Sequence, residues 1–141
     1  MKQILLLCLI SITLWSAESV AVLDNLKNEV GIRRGGDVIT PSGSGEELYR
    51  GDIIFTGSDG ALSILFNDGS TVALGNKSVL KIDDYLFEPS RKKYRFDLFL
   101  KEGSAIVETG KIGKVSPKSV TFRVPEGTIG VRGTRFFVKV H

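Results

Sequence analysis

The stretch that most constrains the fold runs from Gly51 to Tyr85, GDIIFTGSDGALSILFNDGSTVALGNKSVLKIDDY. Short apolar runs at Ile53–Thr56, Ala61–Phe66, Thr71–Leu74 and Val79–Ile82 are separated by Ser58-Asp59-Gly60, Asn67-Asp68-Gly69-Ser70 and Gly75-Asn76-Lys77-Ser78. Asp-Gly and Gly-Asn pairs supply the positive φ angles of tight reversals, which a residue with a bulky Cβ adopts only at a cost. Within the runs, Leu62, Ile64 and Phe66 alternate with Ala61, Ser63 and Leu65, and Val72/Leu74 and Leu80/Ile82 keep the same period. A period of two gives a strand one apolar face, and turns about nine residues apart suit a meander, sandwich or solenoid. Asp59, Gly60, Asp68 and Gly69 are therefore read as structural turn residues.

The rest of the chain extends this pattern. Leu23, Leu26 and Val30 sit at helix-like spacing, but Asn25, Asn28 and Gly31 argue for strand over this stretch, which Gly35-Gly36 ends. Val38-Ile39 suits a short second strand, and residues 41–47 an exposed loop. Leu86 to Lys93 reads as a turn. Tyr94, Phe96, Leu98 and Leu100 alternate with Arg95, Asp97, Phe99 and Lys101 as a half-buried strand. Lys101-Glu102-Gly103-Ser104 has turn composition, and Ala105–Thr109 reads as the returning strand. Gly110 to Lys118 is polar and cationic, Val120–Val124 is a strand, and Phe136, Val138 and Val140 share one face of the last one. The expectation is an all-β fold: a single domain of about ten short strands, sandwich or β-solenoid-like.

Lys2 precedes an apolar run from Ile4 to Trp15, followed by Ser16-Ala17-Glu18-Ser19-Val20-Ala21. As a helix the run spans roughly 18 Å, too short for a hydrocarbon core of about 30 Å. With small residues at Ala17, Ser19 and Ala21 it reads as a cleavable signal peptide over residues 1–21, cut after Ser19 or after Ala21. Residues 22–141 then form the exported domain. Cys8, the only cysteine of 141 residues, leaves with the leader, so disulfides, thiolate metal sites and a Cys nucleophile are not expected in the mature chain.

Several short pieces together resemble the FecR domain family, of the stand-alone exported kind. They are Gly51–Gly57, Phe66–Ser70, Leu74–Ser78, Ile82–Tyr85, Leu100–Gly103, Thr109–Ile112 and the closing Gly130-Val131-Arg132-Gly133-Thr134-Arg135-Phe136. Their order and spacing cover roughly Val30 to Val140. The resemblance implies a periplasmic all-β module. In family regulators it accompanies a cytoplasmic sigma-factor-holding segment and a transmembrane helix, and receives a signal from a TonB-dependent receptor. The sequence shows neither of those segments, so sigma-factor control is not carried over. Val124 and Gly127 stand where the family often has Thr and Ala, a small departure.

Little in the residues suggests catalysis. A nucleophile–imidazole pair needs a placed histidine, and the only one is His141 at the end. Asp83-Asp84 read as a strand exit with side chains on opposite faces, not as a glycosidase pair. Gly127, Gly130 and Gly133 have the wrong spacing for a dinucleotide loop and suit a turn or a close strand approach. The ligand series of a calcium loop is missing. No metal and no cofactor is expected, and the chain is read as not an enzyme.

The cationic sets are the candidates for contact with a partner: Arg91, Lys92, Lys93 and Arg95; Lys111, Lys114 and Lys118; and Arg132 with Arg135. Such groups hold carboxylate, phosphate or anionic glycan, or simply face solvent and blunt strand edges. Arg132 either binds turn carbonyls, pairs with Asp83 or Asp84, or meets an anionic partner. A net charge of +3 is too modest for nucleic acid. The expected function is a non-catalytic periplasmic binding or signalling module whose partner is another envelope protein, a receptor or regulator. The alternative is a scaffold that binds cell-wall or other anionic glycan.

Overall fold

A computed structural model describes residues 18–131 and 134–141. The strands are β1 (Ala21–Lys27), β2 (Val30–Arg34), β3 (Asp37–Ile39), β4 (Glu47–Leu48), β5 (Ile53–Thr56), β6 (Ala61–Phe66), β7 (Thr71–Leu74), β8 (Val79–Glu88), β9 (Lys93–Glu108), β10 (Val120–Val124), β11 (Gly127–Ile129) and β12 (Arg135–Val140). One short helix, α1 (Lys111–Val115), follows β9. The all-β expectation holds. The strands form one curled sheet in which β3-β2-β5-β8-β9-β7-β6-β1-β4 are successive neighbours.

β9 is the spine. Its first half pairs with β8, from Glu88↔Lys93 to Val79↔Glu102, and its second half with β7, from Leu74↔Ala105 to Thr71↔Glu108. Its other edge takes β10 beside Phe96–Phe99 and β12 beside Gly103–Glu108. The β9–β10 ladder is parallel; the other pairings among the described residues are antiparallel.

This corrects the reading of Lys101–Ser104 as a turn. The chain does not reverse there but bends and continues, so one strand belongs to both layers of the curl. Phe96, Leu98 and Leu100 are buried before the bend and Ala105 and Val107 after it. The inward-facing parity therefore changes once, as an inserted bulge residue requires. Gly103, with φ of 90°, sits at the change.

The two layers close over one core. Phe66 of β6 stacks on Tyr85 of β8 at 5.2 Å and meets Phe96 of β9 edge-on at 4.9 Å. Around this trio lie Leu23, Ile32, Leu48, Ile54, Ile64, Leu80, Ile82, Leu98 and Leu100, all buried. These are the alternate residues of each strand, as a two-layer β fold demands.

The N-terminal stretch is strand, as read, but splits in two. Asn25 and Asn28 take φ of 49° and 58°, which Asn tolerates better than most residues. They let β1 join β6 while β2 crosses to β5. The stretch Leu86–Lys93 is a turn only over Pro89–Lys92, because Leu86–Glu88 extend β8 and Lys93 opens β9.

Of the three turn assignments, one holds and two change in their physical cause. Gly69 has the positive φ expected, 88°, and donates to the Phe66 carbonyl. Gly60 does not; a Cβ there would instead drive into the backbone of Glu29, whose carbonyl carbon lies 3.0 Å from the Cβ position. In the third turn the left-handed residue is Lys77, at 50°, rather than Gly75 or Asn76. Gly130 lies in open space between β11 and β12. Gly133 and Arg132, like the apolar run Ile4–Trp15 with Cys8, lie outside the described residues.

Candidate functional site

Two polar centres hold the sheet together. In the first, Asp68, 2% exposed, accepts hydrogen bonds from the Tyr85 hydroxyl (2.8 Å), the Ser70 hydroxyl (2.8 Å), the Ser70 amide (3.2 Å) and the Ile112 amide (3.0 Å). The Asp68 amide donates back to the Tyr85 oxygen at 2.9 Å, and the Gly110 amide donates to Ser70 Oγ at 2.8 Å. A buried carboxylate is tolerated when donors replace its lost water, and here they do. The β6–β7 turn, β8 and α1 are thereby tied at one point. The sequence showed Asp68 only as a turn former.

Burial, with the Asp68 carboxylate beside it, raises the Tyr85 hydroxyl pKa well above its ordinary 10.0. The unfolded chain then releases this proton first as pH rises, so the folded state loses stability above about pH 10. Tyr85→Phe is expected to flatten that alkaline loss while costing about 1–3 kcal/mol at neutral pH, because the Asp68 amide is left without an acceptor. Thermal melts from pH 8 to 11 check both.

In the second centre, Arg34 grips Asp52 with two prongs, Nε to Oδ1 at 2.9 Å and Nη2 to Oδ2 at 2.8 Å. The same carboxylate accepts the Tyr49 amide at 2.8 Å, and the guanidinium lies over the Tyr49 ring at 4.6 Å. The bond to Asp52 raises the Arg34 pKa. Asp52 is 1% exposed, so this is an internal clamp between β2 and the entry to β5.

Asp83 and Asp84 lie within β8, not at its exit, and Asp83 is the inserted residue of a bulge between Ile82 and Asp84. Asp83 binds Arg123, which also reaches Asp97 at 3.1 Å, and lies 3.5 Å from Lys81. Asp84 pairs with Arg95 at 2.6 Å and with Arg50 at 3.8 Å. Both carboxylates are thus neutralised by arginines, which removes the motive for a carboxylate catalytic pair. It also assigns Arg95 and Arg123 to the sheet surface. The Asp97 hydrogen bond, then its charge, raises the Arg123 pKa.

Other cations are placed differently. Arg91, Lys92 and Lys93 occupy the β8–β9 hairpin tip, all exposed. Lys111 and Lys114 project from α1, and Lys118 from the turn after it. None of these six forms an ion pair among the described residues. Arg135 stands opposite Glu108 at the start of β12. The fold brings the hairpin and α1 together on either side of an open cleft of about 240 Å³. Phe87, Pro89, Tyr94, Lys111, Lys114 and Val115 line it. Phe87 and Tyr94 are cross-strand partners with ring centroids 6.0 Å apart, and Val115 is 62% exposed. Sequence reading found both cationic sets but had no means of joining them.

No group of three or more His, Cys, Asp or Glu side chains suited to a metal occurs among the described residues. His141 is exposed at the end of the chain. No helix among them is long and apolar enough to cross a membrane. The family model described as FecR protein matches residues 52–141. The chain belongs to the FecR family. No curated protein and no solved structure matches the chain significantly. FecR proteins are a regulatory family that acts with other envelope proteins. The folded sheet extends beyond the matched residues. Val20, Ala21, Leu23, Ile32 and Leu48 are core residues before Asp52, and β1 and β2 pair with β6 and β5.

Proposed function

We propose that this FecR-family chain is a non-catalytic, exported module of the cell envelope that transmits a signal by binding another envelope protein. The family match over residues 52–141 carries this reading. The arginine pairing of Asp83 and Asp84 supports the absence of carboxylate catalysis. The test is crosslinking in intact cells, followed by recovery of the tagged chain and mass spectrometry. Reproducible capture of a receptor or inner-membrane regulator is expected, and an empty capture contradicts it.

A second reading, an envelope scaffold that binds anionic glycan, is favoured by the six cations at the hairpin, on α1 and in the turn after it that have no carboxylate partner among the described residues. Salt-sensitive co-sedimentation with isolated cell walls supports it, because screening weakens exposed charge contacts. Its absence removes it.

Export also makes a prediction about processing. Val20 and Ala21 are 5% and 0% exposed, the Val20 amide donates to the Leu48 carbonyl at 2.8 Å, and the Asn67 amide donates to the Val20 carbonyl at 3.1 Å. Cleavage after Ala21 discards these contacts, while cleavage after Ser19 keeps them. N-terminal sequencing of the exported chain is expected to begin at Val20; a start at Val22 contradicts this.

A further inference from the structure

We infer that the cleft between the β8–β9 hairpin and α1 seats one bulky apolar side chain of an acidic peptide segment in the partner. The inference rests on the reading of the chain as a binding module and assigns that module its contact site. Three observations converge on it: the size of the cleft, its lining and the charge around it.

The cleft measures about 240 Å³. Small-molecule sites usually occupy roughly 300–1,000 Å³ and enclose their ligand, so this one suits a single large side chain better than a whole cofactor. Its lining is Phe87, Pro89, Tyr94, Lys111, Lys114 and Val115. Lysine stems lie along apolar surface while their ammonium groups stay in water. The lining is mostly apolar, with few of the fixed donors and acceptors that a sugar ring needs. An apolar anchor in such a pocket, ringed by polar contacts, is the usual energetic centre of a protein interface.

The charge is one-sided. Lys111 and Lys114 stand at the cleft, and Arg91, Lys92 and Lys93 follow Pro89 in the hairpin. Elsewhere on the molecule Lys27, Arg33, Lys77, Lys101, Arg135 and Lys139 form no ion pair among the described residues but do not line this cleft, while Arg34, Arg50, Lys81, Arg95 and Arg123 have carboxylate partners. The cleft cations have none among the described residues, although Glu88 is the register partner of Lys93. Complementarity therefore calls for carboxylates on both sides of the apolar anchor. A membrane surface fits less well. Interfacial binding needs an extended apolar face, whereas α1 has five residues, with Ile112 buried in the core and Val115 left outside.

The test is fluorescence anisotropy of a short labelled peptide carrying one Trp flanked by glutamates, titrated with the full chain. Saturable binding is expected. It weakens about tenfold or more in Val115→Glu, in Lys111→Glu/Lys114→Glu, and when the peptide Trp is replaced by Ser. Phe137→Ser, on β12 and not lining the cleft, binds as the parent does. Circular dichroism checks that each variant is folded; Val115 and both lysines are exposed, so folding is expected to be kept. Absence of saturable binding, equal binding by Val115→Glu, or indifference to the Trp overturns the inference. So does binding to phosphatidylglycerol vesicles that Val115→Glu abolishes while the peptide does not bind, which assigns the cleft to a membrane. If the peptide fails while crosslinking in cells still captures an envelope protein, the cleft assignment falls and the binding-module reading stands.

Discussion

Gly103→Ala is expected to cost more than about 3 kcal/mol, moving the melting midpoint by roughly 10 °C or more in a domain of this size. Two effects combine. The residue has φ of 90°, a conformation that L side chains rarely adopt. An added methyl would also run into the Cα of Ser78 and stand 2.6 Å from its Cβ. Ser78 cannot move aside cheaply. It is fully buried, its amide donates to Thr56 Oγ1 at 3.0 Å, and its Oγ accepts the Ser104 amide at 3.0 Å. The close approach lies where β9 passes from one layer to the other, so relieving it means loosening the passage itself. Ser78→Gly is expected to rescue Gly103→Ala only in part, because the Cα and the backbone strain remain. Thermal melts of the three variants decide, and an unchanged midpoint for Gly103→Ala contradicts the placement of the bend.

Asp68→Ala is expected to be of similar size. It strips acceptors from the Tyr85 hydroxyl, the Ser70 hydroxyl and the Ile112 amide, and an orphaned buried donor costs about 1–3 kcal/mol each. Asp68→Asn keeps the volume and one acceptor but sets an amide NH₂ against a donor. It is expected to cost about 1–3 kcal/mol. Urea titration measures both. Because Asp68 also accepts the Lys111 amide through its carbonyl, at 3.0 Å, it holds the start of α1 on both sides. Hydrogen exchange at Ile112 is therefore expected to accelerate in Asp68→Asn. Unchanged exchange there would show that α1 is held by other contacts.

The central ladder was legible because it is local. Each short strand of β5 to β7 lies between turns marked by Asp, Asn and Gly, and Leu62, Ile64, Phe66, Val72 and Leu74 face inward as their alternation requires. The reading failed where one residue type serves two purposes. Lys101-Glu102-Gly103-Ser104 has turn composition, yet Gly103 is needed for a bend inside a long strand. Gly60 was read as a positive-φ residue and is instead a point of close approach.

Long-range pairing was not legible at all. Nothing in Val120–Val124 announces a parallel partner in Phe96–Phe99, and nothing near Arg123 names Asp83 and Asp97. The candidate site has the same character. Phe87 and Tyr94 share a cleft with Val115 because α1, with Ile112 buried in the core, is also fastened to Asp68 in a turn distant in sequence. The cations of the cleft were visible one set at a time, whereas their lack of carboxylate partners among the described residues is a property of the folded surface.

The most direct test of the account is site-specific photo-crosslinking in intact cells, with a photoreactive residue placed at Val115 and, separately, at Phe137. Both positions are well exposed, at 62% and 64%, so accessibility alone does not separate them. The account predicts a defined adduct with an envelope protein from position 115, reduced by Lys111→Glu/Lys114→Glu, and none from position 137. An adduct only from position 137, or none from either, contradicts it.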